Sequence, residues 1–277
     1  MTILLLVRHA ETIDNVAKVY AGIRNSEYCC LLFPRADQNR LTVHGMNQAT
    51  SLGETLKNEP ITHIFSSDLT RAYRTASAIA THHPRLAVVT HQALRECDFG
   101  DLEGKPWTQT HTVQNRGEDR STLESRALAA WTRITEESGL LEATADLFIV
   151  VVSHGSFLGI LFTAICSFYN ASKPERVFWN NTAYAKLVIT TGEPVIGLRV
   201  DSINDTRHLR SIHRQKGGVG SMKYDDSQRS LKDFFASSPK KRKLDTGKDS
   251  RIHVFVSLLH PDERNLQTCS ENSMRNK

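Results

Sequence analysis

The first twelve residues of the chain, MTILLLVRHAET, contain an apolar run that ends in two functional side chains. Residues 3–7 are continuous and apolar, which is typical of a strand buried in a parallel sheet. Arg8 and His9 follow at the carboxyl end of this run, where open α/β sheets place their ligand sites. A second histidine, His154, follows another apolar run at 147–152. The combination indicates chemistry on a phosphate group that arginines hold and a histidine attacks.

The first two-thirds of the chain alternates strand patterns with helix patterns. The strand patterns cover 2–7, 62–66, 86–90, 147–152, 184–190 and 195–201, and the helix patterns cover 43–58, 68–82, 121–137 and 155–167. This alternation predicts an α/β fold, a three-layer α/β/α sandwich with a mainly parallel central sheet. The apolar stretch 147–166 is long enough for a membrane helix, but Ser153-His154-Gly155 interrupts it. We therefore predict a strand followed by a helix there, and no membrane association.

Charge divides the chain into two parts. Residues 1–206 carry 19 Lys and Arg against 22 Asp and Glu, whereas residues 207–277 carry 16 against 8. Such asymmetry is typical of an enzyme body with a basic interaction tail. We predict a catalytic domain over 1–206 and a basic, mostly disordered tail over 207–277. The five cysteines form no C-x-x-C pair, so they are expected to be reduced structural thiols and not metal ligands.

Four separated motifs lie at predicted strand ends or helix starts. They are Arg8-His9-Ala10-Glu11-Thr12 with Asn15 following, Ser66-Ser67-Asp68-Leu69-Thr70-Arg71, Leu94-Arg95-Glu96 and Ser153-His154-Gly155. In this order they resemble the motifs of the histidine phosphatase superfamily, the phosphoglycerate mutase-like enzymes. The resemblance extends over residues 2–206, with Ala10 where that family usually has glycine. It implies the phosphoglycerate mutase-like fold and a phosphohistidine intermediate on His9.

Elementary chemistry assigns roles to these side chains. Arg8 and Arg71 can offer planar, permanently charged donors to a phosphoryl group. His9 must be neutral to attack, and His154 can donate a hydrogen bond to a phosphate oxygen. The substrate-binding assignments are completed by Asn15, Thr12 and Gly155. Because the arginines supply the positive charge, we expect no metal and no cofactor, and EDTA is expected to leave the activity unchanged.

Glu96 is the predicted general acid and base. It would protonate the leaving alkoxide and then deprotonate the water that attacks phosphohistidine. A carboxyl group that starts protonated needs a raised pKa, so a mildly acidic optimum of kcat is expected. Glu103 is the alternative acid. Trp107 either packs against the body or forms a wall for the substrate, and residues 25–40 form either a surface loop or a functional lid.

Two motifs stand out in the tail. Gln228, Leu231, Phe234 and Phe235 fit Q-x-x-aliphatic-x-x-aromatic-aromatic, which resembles the PIP box that docks on the sliding clamp (PCNA). Residues 239–245, PKKRKLD, resemble a nuclear localisation signal read by an import receptor. Together they predict a protein of the nucleus and cytoplasm.

The sequence therefore predicts a phosphatase, a phosphomonoester hydrolase acting on a small phosphorylated metabolite or a phosphoprotein. Two alternatives remain open at this point. The first is phosphoryl transfer of the phosphoglycerate mutase type. The second is a nuclear clamp-binding scaffold with little catalytic activity.

Overall fold

A computed structural model of the chain describes residues 1–24, 40–109, 117–172, 174, 177–190, 197–215 and 218–225. The described residues form the strands β1 Thr2–Arg8, β2 His63–Ser67, β3 Val88–His91, β4 Leu147–Ser153, β5 Tyr184–Thr190 and β6 Gly197–Asp205. They also form the helices α1 Ile13–Ala17, α2 Val43–Leu56, α3 Thr70–Ala80, α4 Arg120–Ser138 and α5 Gly155–Phe168. Apart from Arg40, the segment 25–40 lies outside the described residues, as do the motifs at 228–235 and 239–245.

The six strands form one sheet in the order β3-β2-β4-β1-β5-β6. β1 is parallel to β4, and β2 is parallel to both β3 and β4. β5 is antiparallel to β1 and to β6, so five strands run in one direction and β5 runs against them. The mainly parallel sheet that the sequence predicts is confirmed. Its shared direction brings the carboxyl ends of β1, β2, β3 and β4 to one edge.

Helices cover both faces of the sheet because alternate side chains of each central strand point to opposite sides. Leu4 and Leu6 pack in a core cluster with residues of α4 and α5. Leu5 and Val7 pack in a second cluster with residues of α2 and α3. The predicted three-layer arrangement is therefore confirmed. The apolar stretch 147–166 is the strand β4 followed by α5, and within the described part of the chain no helix is long and apolar enough to cross a membrane.

The compact unit that contains the body continues beyond the predicted domain boundary at 206/207. Residues 207–215 and 218–225, called here the C-terminal strap, pack on the body and belong to the same compact unit. The amide of Val43 donates to the carbonyl of Met222 at 2.9 Å, and the amide of Tyr224 donates to the carbonyl of Leu41 at 3.0 Å. Arg214 forms an ion pair with Glu11. These partners lie far apart in sequence, so local composition gave no sign of them.

His208 in the strap makes the stability of the fold depend on pH. Its side chain is buried against Thr182, and burial lowers the pKa of His208 to about 4. Below its ordinary pKa of about 6.5, the unfolded chain binds a proton here that the folded chain excludes. The free energy of unfolding therefore falls as the pH falls from about 6.5 towards 4. We expect His208→Gln to remove about 1 kcal/mol per pH unit of this slope, measured by urea unfolding between about pH 6 and pH 5.

The matched control is His213→Gln, which changes an exposed histidine of the same strap. The remaining buried histidines contribute equally to all three proteins, so the difference in slope isolates His208. If His208→Gln and the unsubstituted protein lose stability equally over this range, the assignment is wrong.

Candidate active site

The carboxyl edge of the sheet brings the predicted site residues together. Arg8 pairs with Ser153 in the β1–β4 register, so His9 and His154 follow on adjacent strands. The amide of His9 donates to the carbonyl of Ser153 at 2.9 Å. Arg71 lies in the first turn of α3, and Glu96 follows β3. A cavity of about 390 Å³ opens at this edge, and its lining includes Arg8, His9, Asn15, Arg71, Glu96 and Gly155.

The backbone carbonyl of the next residue, Ala10, sets the tautomer of His9. Nδ1 of His9 lies 2.7 Å from the carbonyl oxygen of Ala10, and a carbonyl can only accept. Nδ1 therefore carries the proton, and the lone pair is on Nε2. Burial, together with the charges of Arg71 and Arg8, lowers the pKa of His9 well below its ordinary value. The side chain is 3% exposed and neutral, as a nucleophile requires.

The ring of His154 lies next to the ring of His9 and carries its proton on the other nitrogen, Nε2. Their ring centroids are 5.1 Å apart, and Nε of Arg71 donates to Nδ1 of His154 at 3.1 Å. Burial first, and then the charge of Arg71, lowers the pKa of His154 well below its ordinary value, so its ring is neutral and Nε2 carries the proton. Among the described residues Nε2 has no hydrogen-bond partner although it is buried. Such a donor is costly to leave unpaired, and a ligand oxygen would satisfy it.

Two guanidinium groups supply the positive charge of the site. Arg71 is 1% exposed and donates to the carbonyls of Gly22 at 2.7 Å and Arg24 at 3.1 Å. Burial lowers the pKa of Arg71 to about 10, so it remains charged at neutral pH. Arg8 donates to the carbonyl of Trp179, and its Nε has no partner within the described residues. Those residues contain no group of three or more His, Cys, Asp or Glu placed to hold a metal ion.

Two acidic residues, Asp14 and Glu103, hold the loop against which Arg71 packs. The sequence offered Glu103 as the alternative acid and did not single out Asp14. Nη2 of Arg24 donates to the Asp14 carboxylate at 2.9 Å, and the Glu103 carboxylate accepts from the amide of Ile23 at 2.8 Å. Gly22 has φ +55°, and a Cβ there would lie 1.7 Å from the Glu103 carboxylate, so only glycine fits. Burial raises the pKa of Glu103, but Glu103 does not line the cavity. Glu103 thus supports the loop.

Glu96 is the carboxylate at the cavity, and the start of α5 holds it. Its Oε1 accepts from the amides of Cys97 at 2.9 Å and Phe157 at 3.0 Å. Its Oε2 accepts from the amide of Ser156 at 3.3 Å. Free N–H groups at a helix N-terminus are well suited to a carboxylate. They fix Glu96 in the lining of the cavity that also contains His9.

Arg126, on α4, clamps the loop that carries Glu96. Its Nη1 donates to the carbonyls of Ala93 at 2.9 Å and Arg95 at 2.8 Å, and its Nη2 donates to the carbonyl of Glu96 at 3.1 Å. The guanidinium also pairs with the Glu118 carboxylate. Sequence reasoning missed Arg126, because its acceptors are backbone carbonyls that no side-chain motif records.

We expect Arg126→Met to lower kcat by about 10- to 100-fold and to destabilise the fold by about 2–4 kcal/mol. Without the guanidinium, the three backbone carbonyls would lose their donor and Glu118 would lose its ion-pair partner. Glu96 would then leave its position, while His9 would stay in place. The measurements are steady-state kinetics and urea unfolding. Arg120→Met is the control, because that exposed residue of the same helix pairs only with Glu124 among the described residues. Unchanged kcat in Arg126→Met would exclude the positioning role.

Asn15 lines the cavity, and Asn181 contacts it from outside the lining. Oδ1 of Asn15 accepts from the amide of Thr12 at 3.1 Å and from Nδ2 of Asn181 at 3.0 Å. Its own Nδ2 has no acceptor among the described residues and can donate to a ligand. Thr12, predicted to bind substrate, is fully buried and lies outside the lining; its hydroxyl accepts from the amide of Asn15 and caps α1. Thr12 thus positions Asn15, while Asn181 is a support that the sequence gave no sign of.

Ala10 fits without strain at the position where the family usually has glycine. Its amide donates to the Thr75 hydroxyl at 3.0 Å, and its methyl group is buried in a cluster with Leu41 and Ala49. The carbonyl that orients His9 is therefore held in place.

Comparison with known proteins identifies the family. Residues 4–202 match the model described as "Histidine phosphatase superfamily (branch 1)". The chain belongs to this superfamily. "Probable phosphatase C1620.13" of Schizosaccharomyces pombe is 34% identical over 239 residues, which cover 83% of this chain and 78% of that protein. "Probable phosphoglycerate mutase GpmB" of Yersinia pestis is 29% identical over 215 residues, covering 74% of this chain and 93% of its own.

Solved structures share the fold of this histidine phosphatase. Bacillus stearothermophilus YhfR superposes with a TM-score of 0.57 at 22% identity, covering 76% of this chain and 100% of its own. The mycobacterial glucosyl-3-phosphoglycerate phosphatase Rv2419c superposes with a TM-score of 0.59 at 24% identity, covering 74% of this chain and 99% of its own. At these identities the comparison establishes the fold. The predicted superfamily membership and phosphoglycerate mutase-like architecture are confirmed.

Proposed function

We propose that the protein hydrolyses phosphomonoesters through a phosphohistidine on Nε2 of His9. The observation that carries this proposal is the tautomer of His9. Its Nδ1 proton is used by Ala10, so the nucleophilic lone pair of a neutral imidazole is held at the cavity. The buried donors of Arg8 and His154 that lack a partner in the described residues supply what the oxygens of a phosphoryl group need.

The first step transfers the phosphoryl group to the enzyme. Nε2 of His9 attacks phosphorus, the ester P–O bond breaks, and the leaving oxygen takes the proton of Glu96. Arg8, Arg71 and His154 bind the equatorial oxygens, where negative charge spreads in the transition state. In the second step the Glu96 carboxylate takes a proton from water, and that oxygen attacks phosphorus. The P–N bond breaks, which releases phosphate and restores neutral His9 and protonated Glu96.

Glu96→Gln tests both steps with two esters. With an alkyl phosphate we expect kcat to fall about 10²- to 10⁴-fold, because the leaving alkoxide needs a proton. With p-nitrophenyl phosphate, whose leaving group needs none, we expect a burst of p-nitrophenol close to one per active site, followed by slow turnover. Rapid-mixing absorbance at successive enzyme concentrations measures the burst. An equal loss of kcat for the two esters, with no burst of p-nitrophenol, would contradict the role of Glu96.

A mutase is the second candidate, because the 29% identical relative named as a phosphoglycerate mutase is matched over 93% of its length. A phosphoglycerate carries a carboxylate besides its phosphate, which calls for additional cations. Among the described residues that line the cavity, the charged side chains are Arg8, Arg71 and Glu96. This favours hydrolysis. Incubation with 3-phosphoglycerate distinguishes the two reactions: phosphate release supports the hydrolase, and isomerisation without phosphate release supports the mutase.

We also propose that the tail docks on the sliding clamp and directs the protein to the nucleus as well as the cytoplasm. Support comes from the sequence patterns at 228–235 and 239–245. Full-length protein is expected to bind purified PCNA in a pull-down, and Phe234→Ala with Phe235→Ala is expected to abolish binding while phosphate release is unchanged. Alanines at 240–243 are expected to remove nuclear import. Equal clamp binding by the doubly substituted protein would exclude the motif, and full catalytic activity would exclude the scaffold alternative.

A further inference from the structure

Five aromatic side chains line the cavity that also contains His9. They are Tyr20, Phe99, Trp107, Phe178 and Trp179. Phe178 is 74% exposed and Trp107 is 46% exposed, although large apolar side chains are usually buried. We call these five residues the aromatic rim. Exposed apolar surface around a polar pocket is typical of a site that buries an apolar part of its ligand.

Backbone hydrogen bonds hold the rim in place. The amide of Tyr20 donates to the carbonyl of Lys105 at 3.0 Å, and the amide of Trp107 donates to the carbonyl of Lys18 at 2.9 Å. The rings of Tyr20 and Phe99 pack with centroids 4.9 Å apart. The carbonyl of Trp179 accepts from Arg8. Trp179 is therefore held by an arginine of the cavity, and Tyr20 and Trp107 are held by backbone bonds to neighbouring loop residues.

Charge at the cavity selects against an acidic leaving group. Arg8 and Arg71 face the phosphoryl position, and the remaining charged residue of the described lining is Glu96. A second anionic group on the substrate would meet apolar rings and no further cation of the described lining, so its desolvation would go uncompensated. A neutral aromatic group would instead stack on the rim and exclude water from the reaction.

We infer that the substrates are phosphomonoesters of neutral aromatic alcohols, with the ring of the leaving group held by the aromatic rim. This inference rests on the proposed function. The small phosphorylated acids are the substrate class that this arrangement disfavours.

Benzyl phosphate and propyl phosphate test the inference, because both release an alkoxide of similar basicity and differ in the ring. We expect kcat/KM for benzyl phosphate to be at least about tenfold higher than for propyl phosphate and for 3-phosphoglycerate. Trp107→Ala and Phe178→Ala are each expected to lower the ratio of kcat/KM for benzyl phosphate to kcat/KM for propyl phosphate about three- to tenfold, through a higher KM for benzyl phosphate. Phe168→Ala is the matched control, because Phe168 is 53% exposed at the opposite end of α5.

Three outcomes separate this inference from the proposed function. A benzyl preference that both rim variants reduce supports it. Phosphate release with equal rates for benzyl and propyl phosphate, or a preference that neither rim variant changes, overturns it and leaves the hydrolase intact. Absence of phosphate release from every ester overturns the proposed function itself, and this inference with it.

Discussion

His9→Ala is expected to lower kcat for phosphate release by about 10⁴-fold or more, because the substitution removes the nitrogen that receives the phosphoryl group. Arg8, Arg71 and Asn15 would remain in place around the cavity. The substrate is therefore expected to bind with a Kd within about threefold of the unsubstituted value, since its phosphate keeps its donors. Phosphate release and calorimetric titration with benzyl phosphate measure the two quantities separately.

His213→Ala is the control for this loss, because it removes an exposed histidine distant in sequence from the site motifs. It is expected to leave kcat unchanged. If His9→Ala retained more than about a hundredth of the original kcat, another nucleophile would have to carry the reaction, and the phosphohistidine mechanism would be excluded.

Arg71→Met is expected to lower kcat/KM by about 10³-fold or more. The guanidinium places a positive charge at the transferring group, and no other side chain of the described lining except Arg8 does so. Its loss also removes the donor to Nδ1 of His154, so that imidazole is free to change tautomer and lose its Nε2 proton. One substitution therefore disturbs two oxygen-binding groups. Steady-state kinetics with benzyl phosphate measure the effect.

Arg71→Lys separates charge from geometry. Lysine keeps the charge but cannot reproduce the planar set of bonds to His154, Gly22 and Arg24. We expect Arg71→Lys to retain more activity than Arg71→Met and still to lose about 10- to 100-fold. Activity of Arg71→Lys equal to the unsubstituted protein would show that charge alone matters and would contradict the geometric role.

The fold could be predicted from the sequence because its signal is local. The apolar run 3–7 is buried on both faces, so it identifies a central strand without any partner being known. For the same reason the predicted bounds of β4 agree with the observed ones to within one residue. The observed β3, Val88–His91, starts two residues after the predicted 86–90 and ends one residue after it. Val89 and Thr90 in the middle of this edge strand are both exposed, so the strand carries a weaker apolar pattern.

The proximity of His9, Arg71 and His154 could be predicted because parallel strands end at one edge, which brings distant parts of the chain together. The residues that support these side chains could not be predicted from the sequence. Arg126 acts on backbone carbonyls, and a carbonyl is present at every residue. Asn181 and Arg214 reach partners more than 160 residues away in sequence, at Asn15 and Glu11. Contacts of this kind leave no spacing pattern, so only the three-dimensional arrangement reveals them.

The isomer of phosphohistidine is the most direct test of the account. The bond from Nδ1 of His9 to Ala10 leaves Nε2 as the attacking atom. Enzyme mixed rapidly with benzyl phosphate and quenched in alkali is expected to carry an alkali-stable, acid-labile phosphoryl group on His9, and ³¹P NMR with mass spectrometry of the digest is expected to assign it to Nε2. Phosphorylation at Nδ1 or on another residue would contradict the account. So would hydrolysis with no trappable phosphoenzyme both in the unsubstituted protein and in Glu96→Gln mixed with p-nitrophenyl phosphate.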